Sequence, residues 1–172
     1  MHKLGIMCGV PGSGKSTWLK NKQNALVISR DAIRFRLVKE NEEYFSKEKQ
    51  VFKTFIKEIQ TAINSDTTPY EIYVDATHIT KQSRDKLLNA LDLSNVEQVI
   101  VYVIYPLQSE AIRRNANRTG RQRVPKKVIE QMYMKFERPE YDKDRVFDVV
   151  YLETPKYNSY IYDTNLKNIL NK

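Results

Sequence analysis

Short apolar runs alternate with longer amphipathic segments along this chain. Five of the apolar runs have the length and composition of buried strands: residues 4–8, 25–28, 71–74, 98–105 and 146–152. Between them, apolar residues recur at three- and four-residue steps, which predicts helices, the longest over residues 42–63. Strands that alternate with helices indicate an α/β fold, with a five-stranded parallel sheet and helices on both of its faces.

The remaining helices are predicted at the ends of these strands. One begins at Ser16, and another begins near Ser29 or Asp31, either of which can cap it. Further helices are predicted over residues 82–93, 109–117 and 125–137, with a last helical turn near residues 166–170.

A glycine-rich segment lies between the first strand and the first helix. Residues 9–16 fit the pattern G-x-x-x-x-G-K-[ST], in which backbone N–H groups surround a phosphate chain. The helix N-terminus adds partial positive charge, Lys15 can reach the β- and γ-phosphates, and the Ser16 hydroxyl can bind Mg²⁺. The segment therefore predicts a nucleotide site formed by Gly9, Val10, Pro11, Gly12, Ser13, Gly14, Lys15, Ser16 and Thr17.

The bulk composition is that of an ordinary globular protein. Of the 172 residues, 41% are hydrophobic and 29% are charged. No apolar run approaches the roughly 20 residues that a membrane span needs, and Met1 leads directly into the first strand, without a signal peptide. We expect one domain over residues 1–172. The one cysteine, Cys8, excludes an internal disulfide and favours a cytoplasmic protein in which it fills the core.

Most of the net charge of +8 lies in one segment. Residues 113–127 contain no acidic side chain and seven basic ones: Arg113, Arg114, Arg118, Arg121, Arg123, Lys126 and Lys127. Two predicted helices bracket an arginine-bearing loop, which is the layout of a LID over about residues 109–137 that closes over a nucleotide. Arginines suit a transferring phosphoryl group and closure excludes water, so the segment favours a kinase over a motor ATPase. The N-K-x-D guanine signature is absent from the chain.

The third predicted strand leads into an acidic residue, Asp75. P-loop proteins carry a carboxylate for Mg²⁺ at the end of such a strand, so we expect Asp75 and Ser16 to hold the metal ion, directly or through water. The alternative for Asp75 is a helix cap after the strand.

Asp31 and Arg34 follow the second strand, at the sheet edge where open α/β folds bind ligands. Because Asp31 and Arg34 are three residues apart, their side chains lie on the same helix face if a helix begins at this point. A carboxylate for the proton of a hydroxyl and an arginine for a phosphate would together form the acceptor half of a kinase site. The alternative is a capping aspartate and a surface arginine.

Four segments together resemble a known family. They are residues 9–18 (G-V-P-G-S-G-K-S-T-W), 29–34 (S-R-D-x-x-R), 75–77 (D-A-T) and 114–125 (R-N-x-x-R, then V-P). In this order and spacing they resemble the 5′-polynucleotide kinase domain of phage and bacterial RNA-repair enzymes, a P-loop NTPase fold with an adenylate-kinase-like helical LID. The resemblance implies transfer of the γ-phosphate of ATP, with Mg²⁺, to the 5′-hydroxyl of DNA or RNA. It also implies Asp31 as general base, Arg34 on the acceptor phosphate, Arg118 on the γ-phosphate and Arg114 on ATP.

The resemblance leaves other functions open. Larger members of that family carry a phosphatase or ligase domain, and the D-x-D-x-T phosphatase motif is absent from this chain. One alternative is a P-loop kinase of a small molecule: a nucleoside, sugar, antibiotic or sugar nucleotide. Another is a nucleotide-dependent binding or regulatory protein. A nucleic acid acceptor predicts contacts from Arg34, Arg36 and Lys39, with Tyr44 or Phe45 stacked on a base.

Overall fold

The computed structural model describes residues 1–140, 144 and 146–152. The helical turn predicted near residues 166–170 lies outside these residues. Within them, no helix is long and apolar enough to cross a membrane.

Five parallel strands form one sheet, which confirms the predicted α/β class. They are β1 (His2–Cys8), β2 (Ala25–Ser29), β3 (Glu71–Asp75), β4 (Val96–Val103) and β5 (Asp148–Tyr151). Their order in the sheet is β2-β3-β1-β4-β5, so β1 lies at the centre. Leu4, Ile6 and Met7 of β1 are fully buried, because a central parallel strand is covered on both faces and requires continuous apolar sequence.

Six α-helices accompany the strands in the described part of the chain. They are α1 (Lys15–Lys20), α2 (Arg30–Leu37), α3 (Glu48–Ile63), α4 (Lys81–Asn89), α5 (Gln108–Ala116) and α6 (Lys126–Met134). A 3₁₀ turn (Gly120–Gln122) lies in the loop between α5 and α6. All six correspond to predicted helices, with shifted bounds.

The prediction of a helix from residue 42 is wrong for its first part, because α3 begins at Glu48. Lys47 Nζ donates hydrogen bonds to the Leu37 carbonyl oxygen (2.9 Å) and to a Glu42 carboxylate oxygen (2.8 Å). These bonds hold the turns before α3 against the end of α2. Tertiary contacts therefore override a helical pattern in this segment.

The two faces of the sheet carry different side chains. Val74 belongs to the larger core cluster, where Phe55 of α3 packs against the strands. Its neighbour Tyr73 points to the opposite face and meets Trp18 of α1, with ring centres 5.3 Å apart. A Cβ on Gly5 of β1 would lie 2.5 Å from the Tyr73 ring, so the glycine makes room for the aromatic side chain.

A buried ion pair ties α4 to the segment that follows α6. Arg84 Nε donates to an Asp144 carboxylate oxygen (2.6 Å), and both side chains are almost completely buried. Arg84 Nη1 also donates to the carbonyl oxygens of His78 and Glu137, each at 3.1 Å. Because a buried guanidinium is costly without its carboxylate, the pair fixes the loop after β3 relative to the end of the LID.

Candidate active site

The loop between β1 and α1 has the backbone of a phosphate-binding loop. Gly12 has φ +81° and Gly14 has φ +111°, both in the region that favours glycine. A Cβ on Gly12 would lie 2.3 Å from the Ala111 carbonyl oxygen of α5, so the loop and the LID helix pack at a distance that only glycine allows. The buried Ser13 hydroxyl has no hydrogen-bond partner among the described residues, which suits a phosphate oxygen.

Lys15 lies folded into this loop. Its Nζ donates to the carbonyl oxygens of the first two loop residues, at 2.7 and 3.1 Å. Burial lowers the pKa of the Lys15 ammonium, the Asp75 carboxylate opposes this shift, and the charges of Arg118 and Asp31 also act on it. Charged side chains from β3, α2 and the LID therefore all act on the lysine.

Asp75 ends β3 beside Ser29, the last residue of the neighbouring β2. Burial raises the pKa of the Asp75 carboxyl, while Lys15 and a hydrogen bond from Ser29 lower it. The Ser16 hydroxyl, in the first turn of α1, is exposed. A carboxylate and a hydroxyl are oxygen ligands of the kind Mg²⁺ prefers.

The described residues contain no group of three or more His, Cys, Asp or Glu side chains that could hold a metal ion. A nucleotide-bound Mg²⁺ does not require such a group, since phosphates and waters supply most of its ligands and the protein adds one or two. Ser16 and Asp75 therefore fit a magnesium nucleotide.

Asp31 lies in the first turn of α2 with 66% of its side chain exposed. The cap of this helix is Ser29, whose hydroxyl accepts a hydrogen bond from the Ala32 N–H (3.5 Å). The alternative in which Asp31 caps the helix is therefore wrong. The Asp31 carboxylate instead accepts hydrogen bonds from Arg34 and from the Tyr44 hydroxyl, the latter at 3.3 Å.

Arg34 is buried, with 7% of its side chain exposed, which contradicts the alternative of a surface arginine. Its Nε and Nη2 donate to one Glu48 carboxylate oxygen, at 3.3 and 2.9 Å. Its Nη1 donates to Asp31 and to the Tyr44 hydroxyl (3.3 Å). Two carboxylates thus hold the guanidinium, and the guanidinium in turn holds Asp31.

Helices α5 and α6 form the predicted helical hairpin, and its Arg114 reaches the phosphate loop. Arg114 Nη1 donates to the Ser13 carbonyl oxygen (3.2 Å), and its Nε donates to Glu110 (2.6 Å). Glu110 also binds Arg113, and these two arginines lower the pKa of the Glu110 carboxyl to about 2. Arg118 is half-buried and makes no ion pair within the described part of the chain, which leaves its charge available to a ligand.

Two contacts organise the loop of the LID. The Asn115 side chain pairs with the Val124 backbone: Nδ2 donates to the carbonyl oxygen (2.6 Å) and Oδ1 accepts from the N–H (3.1 Å). At the tip, Arg121 Nη1 donates to the Val38 carbonyl oxygen at the end of α2 (2.8 Å). The Arg121 guanidinium also lies 5.1 Å from the centre of the Phe35 ring. The LID therefore contacts the helix that carries Asp31.

Sequence reasoning missed Glu48, Asn115 and the contact of Arg121. Glu48 is 14 positions from Arg34, and as an acidic residue in the first turn of a helix it has an ordinary local explanation. Asn115 stands inside the R-N-x-x-R run, and that motif was the one signal for it.

A protein-family model described as an AAA domain (AAA_33) matches residues 4–139. The chain is similar to the L-seryl-tRNA(Sec) kinase of Methanococcus maripaludis, with 28% identity over 144 residues that cover 78% of this chain and 52% of that protein. The chain thus spans about half the length of this curated relative.

Several solved structures share the fold. A chain of the Pnkp1/Rnl/Hen1 RNA repair complex aligns with a TM-score of 0.64 and 21% identity, over 78% of this chain and 43% of that one. A fungal RNA kinase aligns with a TM-score of 0.65 and 14% identity, over 97% and 85% of the two chains. A sugar kinase from Janibacter aligns with a TM-score of 0.58 and 16% identity, over 97% and 93%. Because the family model covers most of its length, the chain belongs to the AAA_33 family.

Proposed function

We propose that this chain transfers the γ-phosphate of ATP to the 5′-hydroxyl of a polynucleotide, with Asp31 as general base. The observation that carries the proposal is the exposed Asp31 carboxylate, which Arg34 and Tyr44 hold in place on the sheet edge that also carries Lys15. In a nucleotide-binding or regulatory protein, this carboxylate would have no reaction to serve.

The donor half of the site would bind the triphosphate. The loop N–H groups and the Ser13 hydroxyl surround the phosphates, and Lys15 exchanges its two carbonyl partners for phosphate oxygens. Mg²⁺, held by Ser16 and Asp75, would neutralise charge on the phosphates.

The acceptor half would supply the nucleophile. Asp31 takes the proton of the acceptor hydroxyl while the oxygen of that hydroxyl forms a bond to the γ-phosphorus. At the same time, the bond between the γ-phosphorus and the bridging oxygen breaks, and ADP leaves. Arg118 stabilises the charge on the transferring group, and Arg114 holds the loop and the nucleotide. The LID loop excludes water as a competing acceptor.

The polynucleotide acceptor is supported by charge and by the relatives. Lys39, Arg121 and Arg123 add positive charge around the end of α2 and the LID tip, which suits a phosphate backbone, whereas Arg36 is paired with Glu58. Because Arg34 is already bonded to Asp31 and Glu48, a phosphate next to the reacting hydroxyl would have to share this guanidinium with them. Two of the similar structures are an RNA kinase and part of an RNA repair complex.

A second candidate acceptor is the serine hydroxyl of an aminoacylated tRNA. The similarity to an L-seryl-tRNA(Sec) kinase favours it. Both acceptors present a primary alcohol attached to a nucleic acid, so the same carboxylate would serve either reaction.

A transfer assay with γ-labelled ATP separates these acceptors. Matched 5′-OH DNA and RNA oligonucleotides, seryl-tRNA, nucleosides and sugars are offered in parallel. We expect label on the oligonucleotides, with a KM that rises with salt because phosphate contacts release counterions. Label on seryl-tRNA or on a small molecule, with none on either oligonucleotide, would refute the proposal.

The variant Asp31→Asn tests the base. It should lower kcat by about 10²- to 10⁴-fold and leave nucleotide affinity near that of the wild type. Lys15→Ala is the matched control, since it should weaken nucleotide binding itself. Equal loss of binding and turnover in Asp31→Asn would assign Asp31 a structural role.

A further inference from the structure

Three aromatic side chains form a continuous surface beside Asp31, which we call the aromatic step: Phe35, Tyr44 and Phe45. The Tyr44 and Phe45 ring centres are 4.8 Å apart and nearly perpendicular, and those of Phe35 and Tyr44 are 6.2 Å apart. Phe35 lies on α2, and the other two lie in the turns before α3.

The protein core does not account for this surface. None of the three side chains belongs to the apolar clusters that form the core of the described residues. Phe45 is 63% exposed. The buried guanidinium of Arg34 supports the step from the protein side, with its carbon 4.8 Å from the Tyr44 ring centre and 5.4 Å from that of Phe45. The exposed side of Phe45 therefore offers a cation-backed aromatic ring to a ligand.

The step is directly connected to the proposed base. The Tyr44 hydroxyl donates to the Asp31 carboxylate (3.3 Å), so one tyrosine ring separates Asp31 from Phe45. In a 5′-terminal nucleotide, one sugar ring separates the reacting 5′ oxygen from the base. On the other side, the LID residue Arg121 lies over Phe35.

We propose that the aromatic step, with Phe45 as its exposed ring, stacks on the base of the acceptor's 5′-terminal nucleotide, an inference that rests on the proposed function. Every base has a π-face, so stacking favours a nucleotide end over an acceptor without a planar ring while tolerating any sequence. Tyr44 both supports this ring and orients Asp31, which couples base recognition to the position of the proton acceptor.

A pair of acceptors tests the stacking in kinetics. Two 5′-OH oligonucleotides are identical except that one has an abasic 5′-terminal nucleotide. In the wild type, the KM for the abasic acceptor should be about tenfold higher, the size of effect that one stacked base produces. Phe45→Ala should bring this ratio near one, and Phe45→Trp should preserve it.

The matched control is Phe147→Ala, at an equally exposed phenylalanine (66%) before β5. It should keep the wild-type ratio. A Phe45→Ala ratio equal to that of the wild type would overturn the proposal.

A binding measurement separates this inference from the proposed function. Phe45→Trp adds a second tryptophan in addition to Trp18, and the wild type gives the fluorescence change of Trp18 alone. After that change is subtracted, the fluorescence of the added tryptophan should be quenched by the base-bearing oligonucleotide and not by the abasic one. If the wild type phosphorylates neither oligonucleotide, the proposed function fails. The fluorescence quenching still tests whether Phe45 stacks on the base, because it measures binding and does not require phosphate transfer. Equal quenching by both oligonucleotides, or none, would overturn the inference.

Discussion

Mild acid should destabilise this protein through one buried histidine, His78. The residue follows β3, is almost completely buried, and its Nε2 atom has no hydrogen-bond partner among the described residues. Burial, together with the positive charges of Arg30, Arg84 and Lys15, lowers the pKa of His78 from 6.5 to about 3. The imidazole is therefore neutral in the folded protein at pH values where it is protonated in the unfolded chain.

The sign and size of the effect follow from this difference in pKa. Between the unfolded value of 6.5 and the folded value of about 3, the unfolded chain binds more protons, so the free energy of unfolding falls as the pH falls. One pKa unit corresponds to about 1.4 kcal/mol. Between about pH 7.5 and about pH 5, His78 alone should lower the free energy of unfolding by about 2 kcal/mol.

Urea unfolding at these two pH values, followed by tryptophan fluorescence, measures the loss. Trp18 is the one tryptophan of the chain and packs against Tyr73 and Tyr102, so it reports the folded core. His78→Asn removes the titration, and asparagine tolerates the φ of +42° at this position. Carboxylates that titrate in the same pH range change the free energy of unfolding equally in both proteins. The difference between the two proteins in the loss of this free energy is therefore due to His78.

We expect the wild type to lose about 2 kcal/mol more than His78→Asn over this interval. Equal losses in the two proteins would refute the reasoning. A histidine NMR titration checks the premise directly: the resonance missing from His78→Asn should stay at its neutral position at pH 5 in the wild type.

Three further predictions follow from the site. Gly12→Ala should abolish nucleotide binding in calorimetry because its Cβ would lie 2.3 Å from a carbonyl oxygen of α5, whereas Gly120→Ala, at φ +55° with open space, should retain it. Glu48→Ala should lower kcat at least tenfold at unchanged nucleotide affinity, since it removes a charge-assisted hydrogen bond of about 1.5–3 kcal/mol from Arg34; an unchanged kcat would contradict this. Arg121→Ala should speed hydrogen exchange of the LID loop by removing its bond to the end of α2, and unchanged exchange would show that the LID is held elsewhere.

Local patterns in the sequence were sufficient for the elements and for the backbone of the glycine-rich loop. The apolar runs predicted all five strands, most clearly the central β1, because a strand covered on both faces needs continuous apolar sequence. The glycine pattern predicted the phosphate loop, because left-handed backbone and close approach at Gly12 leave few other residue types. The Asp31–Arg34 pair was also visible, because residues three apart on a helix are neighbours.

The tertiary structure determined which partners these side chains contact. The prediction of a helix from residue 42 failed for its first part because the turns around Tyr44 are held against α2 by contacts that no local pattern reports. Glu48 became a partner of Arg34, and the Arg121 side chain of the LID reached the α2 end 83 positions away. Whether Phe45 faces solvent or core likewise depended on how α2 and α3 pack.

The sequence by itself therefore determined the α/β class, the phosphate loop and the residue types available for phosphotransfer. Only the tertiary structure decided that Asp31 is exposed and oriented, that Arg34 is buried between two carboxylates, and that the LID meets the end of α2. The reason is physical: backbone preference and apolar periodicity act over a few residues, whereas ion pairs, burial and pKa shifts depend on groups that folding brings together from distant positions.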